Sequence, residues 1–589
     1  MSSAASTSKT STALRFFALT LLYPRALAVA LTFTIVATAA TVVGPRLLGY
    51  VIDVAILPRD ARLLAQLVFL YFALEIVRAV ATGFHSYYFQ VLGQKLLQDL
   101  RVRVFDRILR LTVSHLDKTS SGALNTRLVN DIGALSVLFN AGFVRIIERV
   151  LTVAFIVASI LALNIKLGLI CLSLFALYMV FAAYISGSLY GAFQDVRIFL
   201  SDLNSFLVEN VGGIKTIHLF NRERRQSELF SALSTRLANA RLRPSLIFAS
   251  LHCAMTLVVG LSMLTLILLG GRMVEQGEIQ VGVLVALISY VLWLFWPIMQ
   301  IVNEWNSFLG GMAAAERIFE IFEWPTEPVE AERASDARQR LKGSVRFENV
   351  WFGYDPLQPV LKGISFEVQA GQKVAICGPT GSGKSTMLSL LQRFYEIDRG
   401  QILIDGNSVR NLERSYLRSR LGVVQQDVFL FSGSVSDNVT LWNPQLSFPR
   451  SDALLSQLST KQFEPSSLLA ERGANLSMGE RQYLAFLRTL AKAPDIWLVD
   501  EATSYLDPTL DKSLMMELQR AAQDRTVITV AHRLTSITNS DLILVLHEGE
   551  IVERGRHEEL LKLDGLYAKM YRLQAALSET KAEQPTSYV

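Results

Sequence analysis

The chain has little cysteine and little charge for its length. Only three cysteines occur in 589 residues, and none belongs to a C-x-x-C pair or a zinc-ligand spacing. We therefore expect neither disulfide bonds nor a structural metal. Charged residues make up 19% of the chain, and its net charge of +5 includes no basic tail. Nucleic acid is therefore not expected as a partner. The first long apolar run has no small-residue cleavage site after it, so no secretory signal is predicted.

Apolar residues are abundant instead, and they are concentrated before about residue 310. The chain is 51% hydrophobic with a mean hydropathy of +0.34, which is too apolar for one soluble enzyme. A helix needs about 20 residues to cross a bilayer. We predict six spans: Ala26 to Gly44, Leu63 to Phe84, Val150 to Ile165, Leu167 to Gln194, Pro244 to Gly271 and Ile279 to Val302. The first part of the chain is thus predicted to be an all-α, six-helix transmembrane domain.

Lysine and arginine in the connections indicate the orientation of these spans. Residues 90–140 contain seven such residues and residues 191–243 contain eight. The three opposite connections contain Arg46, Arg59, Arg62, Lys166 and Arg272, and Lys166 is predicted to mark a tight hairpin. Both long connections and both termini are therefore expected in the cytoplasm, in a multi-pass protein of the plasma (cytoplasmic) membrane. The long connections keep a helical period, broken at 118–122 and 212–213, where short helices are expected.

Polar and aromatic side chains within the spans are candidates for substrate contact. Glu75 and Arg78 are three residues apart, so they can neutralise each other on one helix face. Glu304 is a candidate for lining an inward-facing cavity. Three aromatic residues could contact an amphipathic substrate, form an aromatic belt or only pack between helices. They are Tyr290, Trp293 and Trp296.

The second part of the chain contains a phosphate-loop motif. The stretch 378–385 reads GPTGSGKS, which matches G-x-x-x-x-G-K-[ST]. It lies between the apolar run 373–377, a predicted strand, and a run of good helix formers. Glycines at these positions let backbone N–H groups surround a phosphate at a helix N-terminus. We expect Lys384 to reach the β- and γ-phosphates of ATP, and Ser385 to hold Mg²⁺.

Two further predicted strands end in polar residues that suit phosphate chemistry. The run 496–501 ends in Asp500 and Glu501, and the run 526–532 ends in His532. Asp500 is a candidate for Mg²⁺, and Glu501 for the attacking water. His532 is a candidate for the γ-phosphate, or else a capping or core histidine. We therefore predict a cytoplasmic α/β P-loop ATPase domain over 343–589, after a transmembrane domain over 1–320 and a linker over 321–342. The stretch 310–315 leads into a charged segment with Pro325 and Pro328, which we interpret as a hinge-like boundary between the two domains.

Over essentially its full length, the chain resembles half-transporters of the ATP-binding cassette (ABC) exporter family, of the lipid and multidrug exporter type. In that resemblance Tyr354 stacks on adenine, Gln426 is the Q-loop glutamine and Asp507 lies in the D-loop. Asp500 and Glu501 match the Walker B aspartate and the catalytic glutamate, and His532 matches the switch histidine. The residues implied for ATP are Tyr354, Gly378, Pro379, Thr380, Gly381, Ser382, Gly383, Lys384, Ser385, Thr386, Ser477, Met478, Gly479, Glu480 and Asp507. Those implied for Mg²⁺ are Ser385, Gln426 and Asp500, and those implied for catalysis are Glu501, His532 and Gln426.

The chain departs from the family pattern in its signature sequence. The family reads LSGGQ, whereas residues 476–480 read LSMGE. In the family, this segment closes over ATP held by the other subunit. Met478 adds a side chain, and Glu480 adds a negative charge, close to where a polyanion would bind. Intact Walker B and switch residues together with an atypical signature resemble one half of the family's heterodimeric exporters, which favours a heterodimer with a second half-transporter over a homodimer. The segment between Asn443 and Glu471 is also shorter than expected, within what the resemblance implies is a helical subdomain.

The resemblance implies ATP-driven export, or leaflet flipping, of a hydrophobic or amphipathic substrate by alternating access. A lipid or a drug-like small molecule is the family's usual substrate, and membrane lipid surrounds the spans. The alternative is a non-pumping assembly, such as an ATP-gated channel or a regulatory or sensor subunit. A hydrolytic pair such as Glu501 and His532 argues against that alternative, because gating by binding alone does not need it.

Overall fold

The computed structural model describes residues 15, 18, 20–139, 144–328, 340–355, 357–425, 427–448, 464–500, 516–531 and 533–582. The chain forms two compact units. The first comprises Met1–Leu111 and Thr119–Trp324, and the second comprises Thr112–Lys118 and Pro325–Val589.

The first unit consists of long helices. In chain order the helices up to residue 323 are α1 (Pro24–Val51, continued by a π-helical turn over Ile52–Ile56), α2 (Ala61–Leu109), α3 (Val113–Leu116, in the second unit), α4 (Ser121–Thr126), α5 (Ile132–Val137), α6 (Val144–Leu163), α7 (Ile165–Gly212), α8 (Ile214–Leu219), α9 (Glu223–Thr265), α10 (Gly271–Glu275) and α11 (Val281–Glu323). The 49 residues of α2 and the 48 of α7 show that these helices continue far beyond the apolar runs, as the helical period predicted.

Within the described residues, five helical segments are long and apolar enough to cross a membrane. They are Pro24–Ile56, Ala61–Leu109, Arg145–Leu163, Ile165–Gly212 and Glu223–Glu275. The sixth predicted span lies in α11, where the apolar segment Val281–Pro297 is shorter. All six predicted spans therefore lie in helices, five of which meet the length requirement in full.

The tight hairpin predicted at Lys166 lies two residues earlier. Lys166 lies inside α7, and the hairpin is made at Asn164, whose side chain accepts a hydrogen bond from the backbone N–H of Leu167 at 3.0 Å. Asparagine is among the best residues for this capping role, whereas lysine has no acceptor.

The stretch 310–315 lies inside α11, which ends at Glu323. A Cβ on Gly311 would lie 2.3 Å from the Cβ of Leu138, so glycine here allows close helix packing.

The second unit contains a six-stranded and a four-stranded sheet. The strands are β1 (Val345–Phe352), β2 (Leu361–Val368), β3 (Lys373–Cys377), β4 (Arg399–Ile404), β5 (Asn407–Ser408), β6 (Leu421–Val424), β7 (Gly433–Ser434), β8 (Leu468–Leu469), β9 (Ile496–Asp500), β10 (Thr526–Val530), β11 (Leu542–His547) and β12 (Glu550–Gly555). The large sheet has the order β12-β11-β3-β10-β9-β6, with β12 antiparallel to β11 and the other neighbours parallel. The smaller sheet has the order β2-β1-β4-β5, and β7 pairs with β8.

The parallel strands are buried because helices cover the sheet. The helices of this unit are α3, α12 (Lys384–Leu391), α13 (Arg414–Arg420), α14 (Val435–Thr440), α15 (Met478–Lys492), α16 (His557–Lys562) and α17 (Leu566–Ala582). Strand β9 is apolar in its first four residues, all of them buried, as expected for a strand covered on both faces. Helices α14 and α15 share one apolar core with the outer part of this sheet. Most of the shortened segment between Asn443 and Glu471 lies outside the described residues.

Candidate functional site

The phosphate loop joins the end of β3 to the start of α12. Its three glycines have positive φ angles, 148° at Gly378, 82° at Gly381 and 101° at Gly383. A Cβ on Gly378 would lie 2.0 Å from the backbone oxygen of Leu546, and one on Gly383 would lie 2.6 Å from a side-chain carbon of Leu361. Glycine is therefore required at both ends of the loop, for conformation and for space.

Lys384, the first residue of α12, points back into this loop. Its Nζ donates to the backbone oxygens of Gly378 at 2.9 Å and Pro379 at 2.8 Å, so the ammonium group lies inside the loop. Ser382 is buried, and its hydroxyl has no hydrogen-bond partner in the part of the chain that the structure describes. A buried hydroxyl without a partner, beside an ammonium group and a helix N-terminus, suits an anionic ligand such as a phosphate.

Asp500 reaches the same edge of the sheet from β9. The Ser385 hydroxyl lies 3.4 Å from Oδ1 of Asp500, which is a long hydrogen bond. The two residues meet because β3, β10 and β9 are parallel neighbours, so their carboxyl ends lie along one edge. Within the described ranges, no group of three or more His, Cys, Asp or Glu side chains could hold a metal ion. One hydroxyl and one carboxylate instead suit a Mg²⁺ ion that phosphate oxygens also bind.

Four predicted site residues lie outside the described residues. They are Gln426, Glu501, Asp507 and His532. The structure does show the positions before three of them, namely Gln425, Asp500 and Ala531. Val530 and Asp500 are paired in register on adjacent strands, so the chain leaves both strands at the edge that carries the phosphate loop. The roles of these four residues stay predictions.

Tyr354, the residue predicted to stack on adenine, lies close to the phosphate-loop helix. It is 47% exposed, and its hydroxyl lies 3.1 Å from Oγ1 of Thr386. The ring of Tyr395 meets it edge-on at 5.1 Å between ring centroids. Both tyrosines line a cavity of about 690 Å³. One face of Tyr354 is thus supported by protein while nearly half of its surface stays accessible to a base.

Sequence reasoning missed Tyr395 and its partner Asp117. The Tyr395 hydroxyl donates to the Asp117 carboxylate, which lies in the segment Thr112–Lys118 of the second unit. Burial, together with this hydrogen bond, raises the pKa of Tyr395. The backbone N–H of Thr112 also donates to the backbone oxygen of Pro325 at 3.2 Å. The short helix expected in the first long connection therefore exists as α3, and its segment lines the cavity beside Tyr354.

The signature segment forms the N-terminus of α15. Ser477 caps this helix: its Oγ accepts from the backbone N–H of Glu480 at 3.3 Å. The Glu480 carboxylate reaches back and accepts from the Ser477 backbone N–H at 2.7 Å and from its hydroxyl at 2.9 Å. These bonds form a capping box. Because Ser477 has one hydroxyl hydrogen, that hydrogen is already donated to a carboxylate. Met478 is 41% exposed beside it, and Gly479 is half-buried.

The candidate substrate contacts in the first unit differ in burial. Tyr290 is fully buried, and its hydroxyl donates to the backbone oxygen of Val42 at 2.5 Å, so helix packing accounts for it. Trp293 and Trp296 are 42% and 62% exposed. Glu304 lies 3.6 Å from Arg145, and one of its carboxylate oxygens is buried without a hydrogen-bond partner among the described residues. Arg78 donates to Glu75 at 2.8 Å, which confirms their mutual neutralisation.

Comparison with known proteins identifies both parts of the chain. Residues 27–298 match the ABC transporter transmembrane region, and residues 361–504 match the ABC transporter family of ATPase domains. The chain is 34% identical to YheH of Bacillus subtilis, a probable multidrug resistance ABC transporter ATP-binding/permease protein, over 83% of this chain and 73% of the relative. The chain belongs to the ABC transporter family. It is also 31% identical to a fatty acid ABC transporter ATP-binding/permease protein of Mycobacterium bovis, over 81% of this chain and 76% of that protein.

A solved structure places this ABC transporter among the exporters. A bacterial Atm1-family ABC exporter with ATP bound superposes with a TM-score of 0.76 and 27% identity, over 96% of this chain and 99% of that one. The chain therefore has the half-transporter arrangement, with a helical transmembrane domain followed by an ABC ATPase domain. It is an integral membrane protein that binds ATP, couples ATP hydrolysis to transport and, as a half-transporter, acts as a dimer.

Proposed function

We propose that this half-transporter uses ATP to export a hydrophobic or amphipathic substrate, or to move it between membrane leaflets. The observation that carries the proposal is the joining, in one chain, of long apolar helices to an ATPase domain with a complete phosphate loop around Lys384. The relatives named for multidrug resistance and fatty acids support an apolar substrate. Alternating access of the transmembrane domain would follow from repeated closure and opening of the two ATPase domains.

The residues at the carboxyl edge of the large sheet would have different roles in ATP hydrolysis. Lys384 and the loop N–H groups would hold the β- and γ-phosphates and stabilise the charge that develops on transfer. Ser385 and Asp500 would hold Mg²⁺, with Gln426 completing the set from the Q-loop. Glu501 would orient or deprotonate the attacking water, and His532 would contact the γ-phosphate.

We propose that the ATPase domain and both termini lie in the cytoplasm. Residues 90–140 and 191–243 of the two long connections carry seven and eight Lys or Arg residues, whereas the opposite connections carry five in total. Cationic loops are retained on the cytoplasmic side. This orientation also gives the phosphate loop access to cytoplasmic ATP.

We further propose that the dimer is a heterodimer. The signature segment of this chain would close over ATP on the partner's phosphate loop, and it would do so weakly, because Glu480 holds the Ser477 hydroxyl. Glu501 of this chain would act with the partner's signature segment. Tagged protein purified from its native membrane should contain a second half-transporter in equal amount, as measured by mass spectrometry. A homogeneous preparation of this chain alone that transports at the full rate would reject the heterodimer.

The proposed function is tested with inside-out membrane vesicles and a labelled fatty acid or lipophilic dye. We expect ATP-dependent accumulation against a gradient, lost together with ATPase activity in Glu501→Gln. Glu550→Gln, a change at an exposed glutamate on β12, is the matched control and should behave as wild type. Equilibration without accumulation would favour the channel, and a Glu501→Gln protein with the wild-type ATPase rate would contradict the role of Glu501.

A further inference from the structure

Three transmembrane helices of the first unit meet at one polar contact. Oγ1 of Thr34, on α1, lies 2.7 Å from Nδ1 of His85, on α2. Nε2 of the same imidazole lies 3.6 Å from Oε2 of Glu148, on α6. Thr34 and His85 are only 2% and 7% exposed. His85 directly follows the predicted span Leu63 to Phe84, and Glu148 precedes the span that starts at Val150, so the contact lies where these spans end. A buried histidine with partners on two other helices is a candidate for a proton-linked switch.

The Thr34 hydroxyl can form a hydrogen bond with Nδ1 of His85 whether the imidazole is neutral or protonated. Its single hydrogen has two acceptors within reach, Nδ1 of His85 at 2.7 Å and the backbone oxygen of Ala30 at 2.8 Å. When the hydroxyl donates to Nδ1, the neutral imidazole carries its hydrogen on Nε2, facing the Glu148 carboxylate. When the hydroxyl donates to Ala30, its lone pair accepts from a protonated Nδ1, and Nε2–H still faces Glu148. A proton can therefore bind or leave with one hydroxyl rotation and no helix movement.

The charged groups around this contact are balanced without that proton. Glu148 lies 3.8 Å from Arg149 on the same helix. Glu304 on α11 lies 3.6 Å from Arg145 on α6. Two carboxylates and two guanidinium groups leave no net charge, and α1 contributes only the neutral hydroxyl to the contact. Proton binding at His85 therefore adds one positive charge to the described side chains of this cluster.

We propose that His85 is a proton-binding site of the transmembrane domain, with Thr34 as its adjustable partner and Glu148 as its counter-charge. Proton binding turns a neutral contact between α2 and α6 into an attraction between opposite charges. Because the side chains of His85 and Glu148 are only 9% and 27% exposed, that attraction is stronger than it would be between fully solvated groups. The protonated site therefore stabilises this arrangement of α1, α2 and α6 and slows any step in which α2 and α6 must move apart.

The test compares ATPase rates of the full-length protein in lipid nanodiscs between about pH 5.5 and 8, the range in which histidines change charge. The control is His252→Gln, at an exposed histidine on α9. Because other groups titrate in the same range, the measured quantity is the ratio of wild-type to His85→Gln rates. We expect this ratio to rise at least about threefold from pH 5.5 to pH 8, since only the wild type is slowed by the bound proton. The ratio of wild type to His252→Gln should stay constant.

A purely structural role predicts a different result. Glutamine can keep hydrogen bonds to Thr34 and Glu148 but cannot take up a proton, so packing alone would change the rate by the same factor at every pH. A flat or falling ratio would overturn the proposal, as would an equal change in the His252→Gln ratio.

Thr34→Val gives a second variant in case His85→Gln does not fold. Valine has nearly the shape of threonine but leaves a protonated Nδ1 without an acceptor, which disfavours the proton. We expect the acid inhibition of ATPase activity to move to lower pH in this variant. An unchanged pH profile in a folded Thr34→Val protein would also overturn the proposal.

Discussion

The phosphate loop and the signature segment both lead into a helix N-terminus, but they differ in how available their hydrogen-bond donors are to a phosphate. In the phosphate loop, glycines with positive φ angles surround the Lys384 ammonium group, and the buried Ser382 hydroxyl has no hydrogen-bond partner among the described residues. In the signature segment, the Glu480 carboxylate accepts hydrogen bonds from both the N–H and the hydroxyl of Ser477. The chain thus carries one loop whose buried hydroxyl suits a phosphate and one whose serine is already bonded to a carboxylate.

The difference shows that a helix N-terminus is an anion site only when its donors are available. A hydrogen bond to a charged group contributes about 1.5–3 kcal/mol, against about 0.5–1.5 kcal/mol for a neutral pair. A phosphate that approaches Ser477 must therefore displace a carboxylate bond and also accept a second negative charge nearby. A phosphate that approaches the loop before α12 meets the Lys384 ammonium group, which donates to the backbone oxygens of Gly378 and Pro379.

The largest effect on the ATPase rate is expected from removing the Lys384 ammonium group from the phosphate loop. Lys384→Ala should lower the ATPase rate at least about 100-fold, because one stabilising group aimed at the transferred phosphoryl charge contributes about 10²- to 10³-fold. Steady-state hydrolysis by the purified protein in lipid measures it. Lys562→Ala, at an exposed lysine on α16, is the control and should be unaffected. A Lys384→Ala rate within tenfold of wild type would mean that the loop is not the site of hydrolysis.

A smaller effect, on the KM for ATP, is expected from substitutions of Tyr354, the predicted adenine contact. Tyr354→Ala should raise the KM for ATP about tenfold, because stacking of a base on an aromatic ring contributes about 1–3 kcal/mol. Tyr354→Phe keeps the ring and loses only the contact with Thr386, so its KM should stay within about twofold of wild type. Equal KM values for the alanine and phenylalanine variants would show that the ring does not contact the base.

The phosphate loop and Asp500 could be predicted from sequence, because each is encoded by a short local pattern: a glycine motif after a strand, and a carboxylate at the end of an apolar strand. The glycine pattern fixes the loop, and a carboxylate at the end of an apolar run places Asp500 at the sheet edge. The bond between Tyr395 and Asp117 could not be predicted, since the residues are 278 positions apart and belong to no shared motif. The bond between Ser477 and Glu480 has a local signal, the S-x-x-E pattern of a capping box. Comparison with the family's LSGGQ signature indicates the extra negative charge of Glu480, but it does not predict that Glu480 caps the helix.

The measurement that tests the comparison most directly is a double-mutant cycle at Ser477 and Glu480. The protein is purified from its native membrane, so that any partner chain accompanies it, and ATPase rates are measured for wild type, Glu480→Gln, Ser477→Ala and the double variant. Glutamine can keep the capping bond to the Ser477 N–H but holds the hydroxyl less tightly, by about 1 kcal/mol. All four are compared in a Lys384→Ala background, in which the remaining ATPase rate reports the site that Ser477 closes. In that background we expect Glu480→Gln to be about fivefold faster than the protein with native residues 477 and 480, and to give no gain when residue 477 is alanine. A Glu480→Gln protein no faster than that reference, or an equal gain with serine and with alanine at residue 477, would contradict the account.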